Sequence, residues 1–453
     1  MASITAATHR VKDELSTWIS ETRVRQACDA AGHPRHRWRD RLLPPWVVLR
    51  LFALQVLAGN VACRAVTRLS ERAFSAQAYC AARMNLPIDV LGCLAAMLTD
   101  EARRHTVDFG RWLGHRVMHI DGTGLSMPDA PALQQAFGQP GGVKRGCGFP
   151  VMHVLWLFDA ATGLIIDFVA SPGNTHDLAH ASRLHPSMRE GDVLVGDVAF
   201  ASFAHLALIL QANLHGVMRM HQRRIVDFTP GRRCRAQQRK TQRQGAPTSR
   251  WMRAVGHEDQ IVAYPKPRER PTWISDEEYD SLAKMIVVRE LRYRITRAGF
   301  RTKIVALVTT LTDPRKYPKQ ALAELYHARW RIEINLRHLK QTMGMDGLRC
   351  RTVEGVKKEL WMYLIVYNQV RLFMLDAAKR QGVPPDRISF IDALDVLRHH
   401  GASAAATTKL AVNPHRPGRH EPRVIKRRKD RYAYMTKPRD ELRKALGITP
   451  LAA

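Results

Sequence analysis

The apolar positions divide the chain by their period. From the N-terminus to about residue 110 they recur every three to four residues, as in Val47, Val48, Leu51, Phe52, Leu54 and Val56, which predicts packed helices. From Arg116 the texture changes to short apolar runs bounded by Gly, Pro and Asp. Val117 to Ile120, Val151 to Phe158, Leu164 to Val169, Val193 to Gly196 and Gly216 to Met220 read as strands, with a helix from Phe203 to Ala212 before the last. Three strands, a helix, a strand, a helix and a fifth strand make an α/β layer architecture. Strand-like segments return at Met285 to Leu291 and Lys303 to Thr310, and two long helices follow, about Pro318 to Met343 and Val356 to Lys379.

The pattern divides the chain into a helical N-terminal domain at 1–110, an α/β domain at 111–221 and 306–375, an insertion at 222–305 and a helical, basic C-terminal region at 376–453. Between Arg223 and Arg253 the insertion carries ten basic residues against one acid, Asp227, without apolar periodicity, and reads as a long loop. The stretch Gly141 to Gly148 reads as a basic hairpin between the first two strands, and it lacks the ending of a phosphate-binding loop. The most apolar run, Trp46 to Gly59, holds Arg50 and Gln55 and is too short to span a bilayer, so it reads as a buried helix.

Charge narrows the class of partner. Seventy-one Lys and Arg against 41 Asp and Glu leave a formal +30. Each basic group placed near a phosphate releases condensed counterions, so an excess of this size favours nucleic acid. Arg35, Arg37, Arg39 and Arg41 around Trp38, and eight basic residues between Arg416 and Arg431, concentrate that charge. A helical DNA-recognition domain and a plain helical core with a basic face both fit the N-terminal region. Seven scattered cysteines without a C-x-x-C pair argue for a reducing cytoplasm and against a zinc ribbon.

Candidate chemistry rests on carboxylates. Asp121 and Asp197 each follow an apolar run, at what reads as the C-terminal end of a strand, where open α/β sheets put their ligands. Asp192 opens its strand and suits a turn; Asp129, Asp159, Asp167 and Asp177 also read as turn or surface acids. Tyr326, Arg329, Glu333 and Lys340 stand at offsets that, at about 100° per residue, project within an arc of roughly 60° on one helix face. Beside them Leu325, Ile332, Leu336, Leu339 and Met343 form a stripe suited to packing on a sheet. Three carboxylates can hold two hard divalent cations for in-line displacement at phosphorus, with Arg329, Lys340 and Tyr326 on flanking phosphates. His176, His180 and His185 follow helical spacing but suit surface or core positions better than a metal.

The order strand-Asp, strand-Asp, helix-Glu, with Tyr326-x2-Arg329-x3-Glu333-x6-Lys340 about the Glu, resembles the DDE transposases of bacterial insertion-sequence family four. Gly196-Asp197-x2-Phe200 and His119-x-Asp121-x-Thr123 resemble the family's other two blocks, and the likeness spans about residues 40 to 375. It implies an RNase H-like catalytic core with a mostly β insertion, and Mg2+ as cofactor, two ions with Mn2+ able to substitute. It implies Asp121, Asp197 and Glu333 as catalytic metal ligands, and cut-and-paste movement of an element bounded by terminal inverted repeats. The implied partners are double-stranded DNA, both repeats and target, and a second copy of the chain in a homodimer or larger assembly. No membrane is implied, and the expected place is the cytoplasm at the bacterial nucleoid. In some members a Trp of the insertion holds a flipped base; neither Trp251 nor Trp273 matches that position by spacing. The competing readings are an RNase H-like nuclease or resolvase, and a non-catalytic DNA-binding protein derived from a transposase.

Overall fold

The computed structural model describes residues 18–33, 42–70, 73–107, 109–234, 247–295, 304–399, 408–414 and 435–447. The basic cluster around Trp38, most of Arg232 to Arg243 and the run Arg416 to Arg431 lie outside these residues.

The N-terminal helices are α1 (Glu21–Ala30), α2 (Pro45–Leu57), α3 (Cys63–Val66), α4 (Ala76–Asn85) and α5 (Ile88–His105). Ser20 and Ser75 cap α1 and α4 by accepting the amides of Arg23 and Ala78, which supplies a partner to otherwise orphaned donors. Helix α2 starts at Pro45 and is apolar on nearly every side, so all of it except Pro45, Trp46 and Arg50 is buried. No single helix among the described residues is long and apolar enough to cross a membrane.

The mixed α/β remainder is built on one large sheet. Along the chain come β1 (Val117–Ser126), α6 (Pro131–Phe137), β2 (Val151–Asp159), β3 (Ile165–Pro172), α7 (Leu178–Ala181), β4 (Val193–Gly196), α8 (Phe203–Gln211) and β5 (His215–Arg219). Then follow β6 (Arg250–Gly256), β7 (Asp259–Pro265), α9 (Asp276–Ser281), β8 (Met285–Arg294), β9 (Ile304–Thr309), α10 (Lys319–Ala328), α11 (Arg331–Arg337), α12 (Val353–Gln381), α13 (Phe390–His399) and α14 (Arg439–Ala445). The strand order is β3-β2-β1-β4-β5-β9-β8-β7-β6. Strands β1, β2 and β3 are antiparallel neighbours, β4 runs parallel to β1 and β5 parallel to β4, and the remaining pairs are antiparallel. The strands of the insertion thus continue the same sheet beyond β5 through β9.

Side-chain alternation gives the sheet two apolar faces. Val117, Val193 and Val195 pack under Leu322, Leu325 and Tyr326 of α10 on one face, while Met118, Ile120 and Leu194 pack on Leu206 and Ile209 of α8 on the other. Helix α12 shares a single core with α2, α5 and β2. Its Asn368 amide pairs with both Ile165 N–H and Ile165 C=O at 2.8 Å, satisfying backbone groups of the edge strand β3.

Three expectations are corrected. The loop predicted from Arg223 to Arg253 ends earlier: β6 begins at Arg250 and pairs with β7, an element without a sequence counterpart. Gly141 to Gly148 does lie between the antiparallel strands β1 and β2, but in a long connection that also holds α6 and not in a simple hairpin, and the C-terminal segment docks there, with Arg439 on Asp129 at 2.9 Å and on Gly148 C=O at 2.8 Å. The long helix from Pro318 to Met343 is three pieces, whose geometry shapes the site.

Candidate active site

Strand β1 does not end at Asp121. Its antiparallel partner β2 continues, pairing Asp121 with Trp156 and Ser126 with Val151, whereas the parallel ladder with β4 stops at His119 opposite Val195. Asp121 therefore stands just past the end of the parallel ladder, in mid-strand, and Asp197 follows the last residue of β4.

Helix α10 ends at Ala328. Arg329 and Trp330 carry the chain through a tighter turn, with Ile332 N–H on Arg329 C=O at 3.0 Å and Glu333 N–H on Trp330 C=O at 3.2 Å. Helix α11 then gives way to a π turn at His338–Thr342, closed by Met343 N–H on His338 C=O at 2.9 Å. The break puts Arg329 inside and leaves Trp330 56 % exposed, so a uniform 100° wheel does not run through to Lys340. The four polar residues still gather at the same end of the sheet.

Arg329 is the centre of that gathering. Its guanidinium lies 3.5 Å from the Asp121 carboxylate, 3.8 Å from Asp197 and 3.7 Å from Glu333. The Tyr326 hydroxyl donates to Asp197 Oδ1 at 3.2 Å. Lys340 Nζ reaches back to β1, donating to Thr123 Oγ1 and Gly124 C=O, each at 3.0 Å. Gly122 N–H donates to Asp121 Oδ1 at 2.9 Å.

Burial raises the Asp121 carboxyl to about 6, against the opposing pull of Arg329 and the Gly122 amide, and Asp177 and Asp197 push the same way as burial. Burial also raises Glu333, again opposed by Arg329 and assisted by Asp197. The Tyr326 hydroxyl is pushed far up by burial and stays protonated, a donor. His119, fully buried two residues before Asp121, is held down to about 3 by burial and by the charges of Arg329 and Arg331.

Among the described residues no three His, Cys, Asp or Glu side chains form a ready-made metal cluster. The predicted histidine series does not converge either. His185 Nε2 instead meets His205 Nε2 at 3.2 Å in the core, and His176 Nδ1 accepts Leu178 N–H. Trp251 lies on β6, and Trp273 packs against the core below α8 and α9. Two residues at the site were not singled out by the sequence reading as functional. Asp177 Oδ1 and His153 Nε2 stand 2.8 Å apart and pack against Gly122. A histidine inside the apolar run Val151 to Phe158 is the sequence signal that could have pointed there.

Three carboxylates thus surround one guanidinium where the parallel ladder of β1 and β4 ends. Residues 112–369, more than half of the chain, match the family model described as the transposase DDE domain. The chain belongs to the DDE transposases, a family that cleaves DNA and transfers strands and generally uses divalent metal ions. It is 25% identical over 340 residues to the transposase InsG for insertion sequence element IS4 of Escherichia coli (strain K12), a span of 71% of this chain and 70% of that protein. The resemblance carried by Tyr326, Arg329, Glu333 and Lys340 is to the same group of elements. Among solved structures, the piggyBac transposase synaptic complex with hairpin DNA aligns with 87% of this chain and 80% of its own, at a TM-score of 0.43 and 10% identity.

Proposed function

We propose that Asp121, Asp197 and Glu333 are the metal-binding catalytic carboxylates of a cut-and-paste transposase, and that Tyr326, Arg329 and Lys340 hold phosphates of the reacting DNA end. The observation that carries this reading is the convergence of the three carboxylates on Arg329 within 3.5 to 3.8 Å. Three acids from separate segments crowd one cation, and burial raises two of them, Asp121 and Glu333, from their ordinary values. Such a group calls for positive charge, and its all-oxygen donor set suits hard divalent cations: Mg2+, two ions, with Mn2+ as a substitute. When bound, the ions activate the attacking oxygen and stabilise the leaving one in an in-line displacement at phosphorus.

The chain's own residues do the rest. With its carboxylates engaged, Arg329 turns its guanidinium to a phosphate, which its planar fork suits. Lys340, anchored beside Thr123, neutralises a second phosphate, and the protonated Tyr326 hydroxyl donates to a third oxygen. The strand order β3-β2-β1-β4-β5, antiparallel up to β1 and parallel beyond it, supports an RNase H-like core at 111–221 and 306–375. In this reading 222–305 is a mostly β insertion and 1–110 a DNA-binding unit. The basic region 376–453 extends the contact with the nucleoid DNA, and a homodimer or larger assembly pairs the two terminal inverted repeats.

The test is joining. Purified protein with Mg2+, DNA carrying the terminal repeats from its own genomic flanks and a supercoiled target should give covalent strand-transfer products without a nucleotide cofactor. Asp121→Ala, Asp197→Ala and Glu333→Ala should each abolish cleavage while binding of the ends persists, because the +30 charge drives association. Efficient nicking with no joined strands would assign the chain to the nucleases instead.

A further inference from the structure

Behind Asp121, on the opposite face of β1 from Glu333, lies a pair of titratable side chains that the proposed reaction does not use. His153 Nε2 stands 2.8 Å from Asp177 Oδ1, and both side chains are largely buried. His153 comes from β2, and Asp177 from the loop between β3 and α7. They fill the space that a side chain at position 122 would occupy. A Cβ on Gly122 would lie 2.2 Å from Asp177 Oδ1 and 2.6 Å from His153 Nε2. The loop that carries Asp177 is itself pressed onto β2, since a Cβ on Gly173 would lie 2.5 Å from Val151 C=O. Thr175 N–H closes the turn on Pro172 C=O at 3.0 Å.

Gly122 is the link forward. Its N–H donates to Asp121 Oδ1, so the position of this one peptide helps to set where the carboxylate points. We infer that His153 and Asp177 are positioning residues: they brace Gly122 from behind and thereby fix the Asp121 carboxylate in the reaction proposed above. Alternation along β1 places Asp177 across the strand from Asp197 and Glu333, so it acts through Gly122. The pair suits this task because two side chains from different elements, packed against position 122, resist displacement of the Gly122 peptide. Residues that orient a metal ligand without touching the metal commonly matter about 10- to 100-fold in affinity or rate.

The inference rests on the metal-dependent reading, and the experiment separates the two. Full-length protein bound to its terminal-repeat duplex is titrated with Mn2+ and followed by electron paramagnetic resonance, and single-turnover cleavage is measured alongside. Asp177→Ala should weaken Mn2+ binding and slow cleavage by about 10- to 100-fold, with DNA affinity within about twofold of wild type. Asp177→Asn keeps the shape and an acceptor for His153, and should recover most of the loss. Equal losses in Asp177→Ala and Asp177→Asn would mean that the charge itself is needed, as for a direct ligand, and would overturn the positioning role. So would wild-type behaviour of Asp177→Ala. Gly122→Ala probes the other side of the same contact even if Asp177→Ala fails to fold: it should lose at least about tenfold in both readouts, and full activity would refute the link. Where both fold, the double variant should be no worse than the poorer single, since the two changes break one chain of contacts; additive losses would count against it. If wild-type protein neither binds Mn2+ nor cleaves, the metal-dependent reading fails; if it does both and the Asp177 variants match it, only the positioning role fails.

Discussion

Asp121 and Asp197 stand at the same level of neighbouring strands because the parallel register pairs Val117 with Val193, Met118 with Leu194 and His119 with Val195. Carried two residues further, that register sets the two acids side by side, with their side chains on the face that α10 and α11 cover. Glu333 arrives from a distant part of the chain, and Arg329 fills the space among the three.

The burial of Asp121 fixes a pH dependence. The Asp121 carboxyl is raised to about 6, and an acid keeps its proton below its pKa, so the carboxylate that the proposed metal site needs is lost as pH falls through that value. Mn2+ affinity of the protein–DNA complex should be flat above about pH 7 and fall by up to tenfold per pH unit below about pH 6. Titration calorimetry from pH 5 to 8 measures it. Affinity that does not change down to pH 5 would show that Asp121 does not bind the metal as a carboxylate.

A second prediction concerns how the insertion is fastened. Arg289 on β8 and Asp259 at the start of β7 are both buried and pair twice, at 2.7 and 2.5 Å, and Arg289 also donates to Tyr317 C=O at 2.6 Å, just before α10. Removing one partner leaves the other charge buried and uncompensated. Asp259→Ala should therefore cost about 3 to 5 kcal/mol in denaturant unfolding, while Asp259→Leu combined with Arg289→Met should recover much of it. A single substitution costing under about 1 kcal/mol would mean that water reaches the pair.

What the sequence could and could not reveal follows from where each signal lives. Strands buried on both faces announce themselves as apolar runs, so Val151 to Phe158 is nearly the whole of β2. The Tyr326 to Lys340 spacing is written in contiguous chain and survives the break in the helix. Strand β6 is largely exposed and carries Arg250 and Arg253, so no apolar alternation marks it; only its ladder with β7 makes it a strand. The turn at Arg329 and the π turn depend on which carbonyl each amide selects, which side-chain periodicity does not encode. Asp177 looks like a turn acid locally, and its pairing with His153, 24 positions earlier, is purely tertiary.

The buried histidine pair gives a third prediction. His205 Nδ1 faces Phe200 C=O at 2.9 Å and so carries a proton, which leaves its Nε2 to accept from His185 Nε2–H. Both rings are neutral in this arrangement, and burial pushes His185 down to about 3 and His205 to about 4 from the ordinary 6.5. The unfolded chain takes up these protons below about pH 6.5 and the folded chain does not until about pH 4. Their stabilising effect is therefore full above pH 6.5 and is lost as pH falls toward 4, at up to about 1.4 kcal/mol per pH unit for each proton linked. The urea midpoint between pH 7 and 4 should fall less steeply in His185→Leu than in wild type. Parallel curves would show that these rings do not drive the acid sensitivity.

The last prediction follows from the place that Arg329 occupies. A guanidinium 3.5 to 3.8 Å from three carboxylates competes with any divalent cation that those carboxylates bind. If Arg329 served only to hold the acids apart, Arg329→Ala would disorder the site, and metal affinity and cleavage would fall together. If it leaves the carboxylates for a phosphate, its removal frees them. Mn2+ should then bind the apoprotein as tightly as wild type or more so, while cleavage of the DNA end drops by about 10²- to 10³-fold for want of a transition-state donor. Arg329→Lys should keep the charge and lose the two-pronged contact, and so fall between alanine and wild type in rate. Loss of Mn2+ affinity in Arg329→Ala would return the residue to a structural part, because an arginine that only braces the acids cannot be removed without unseating the metal.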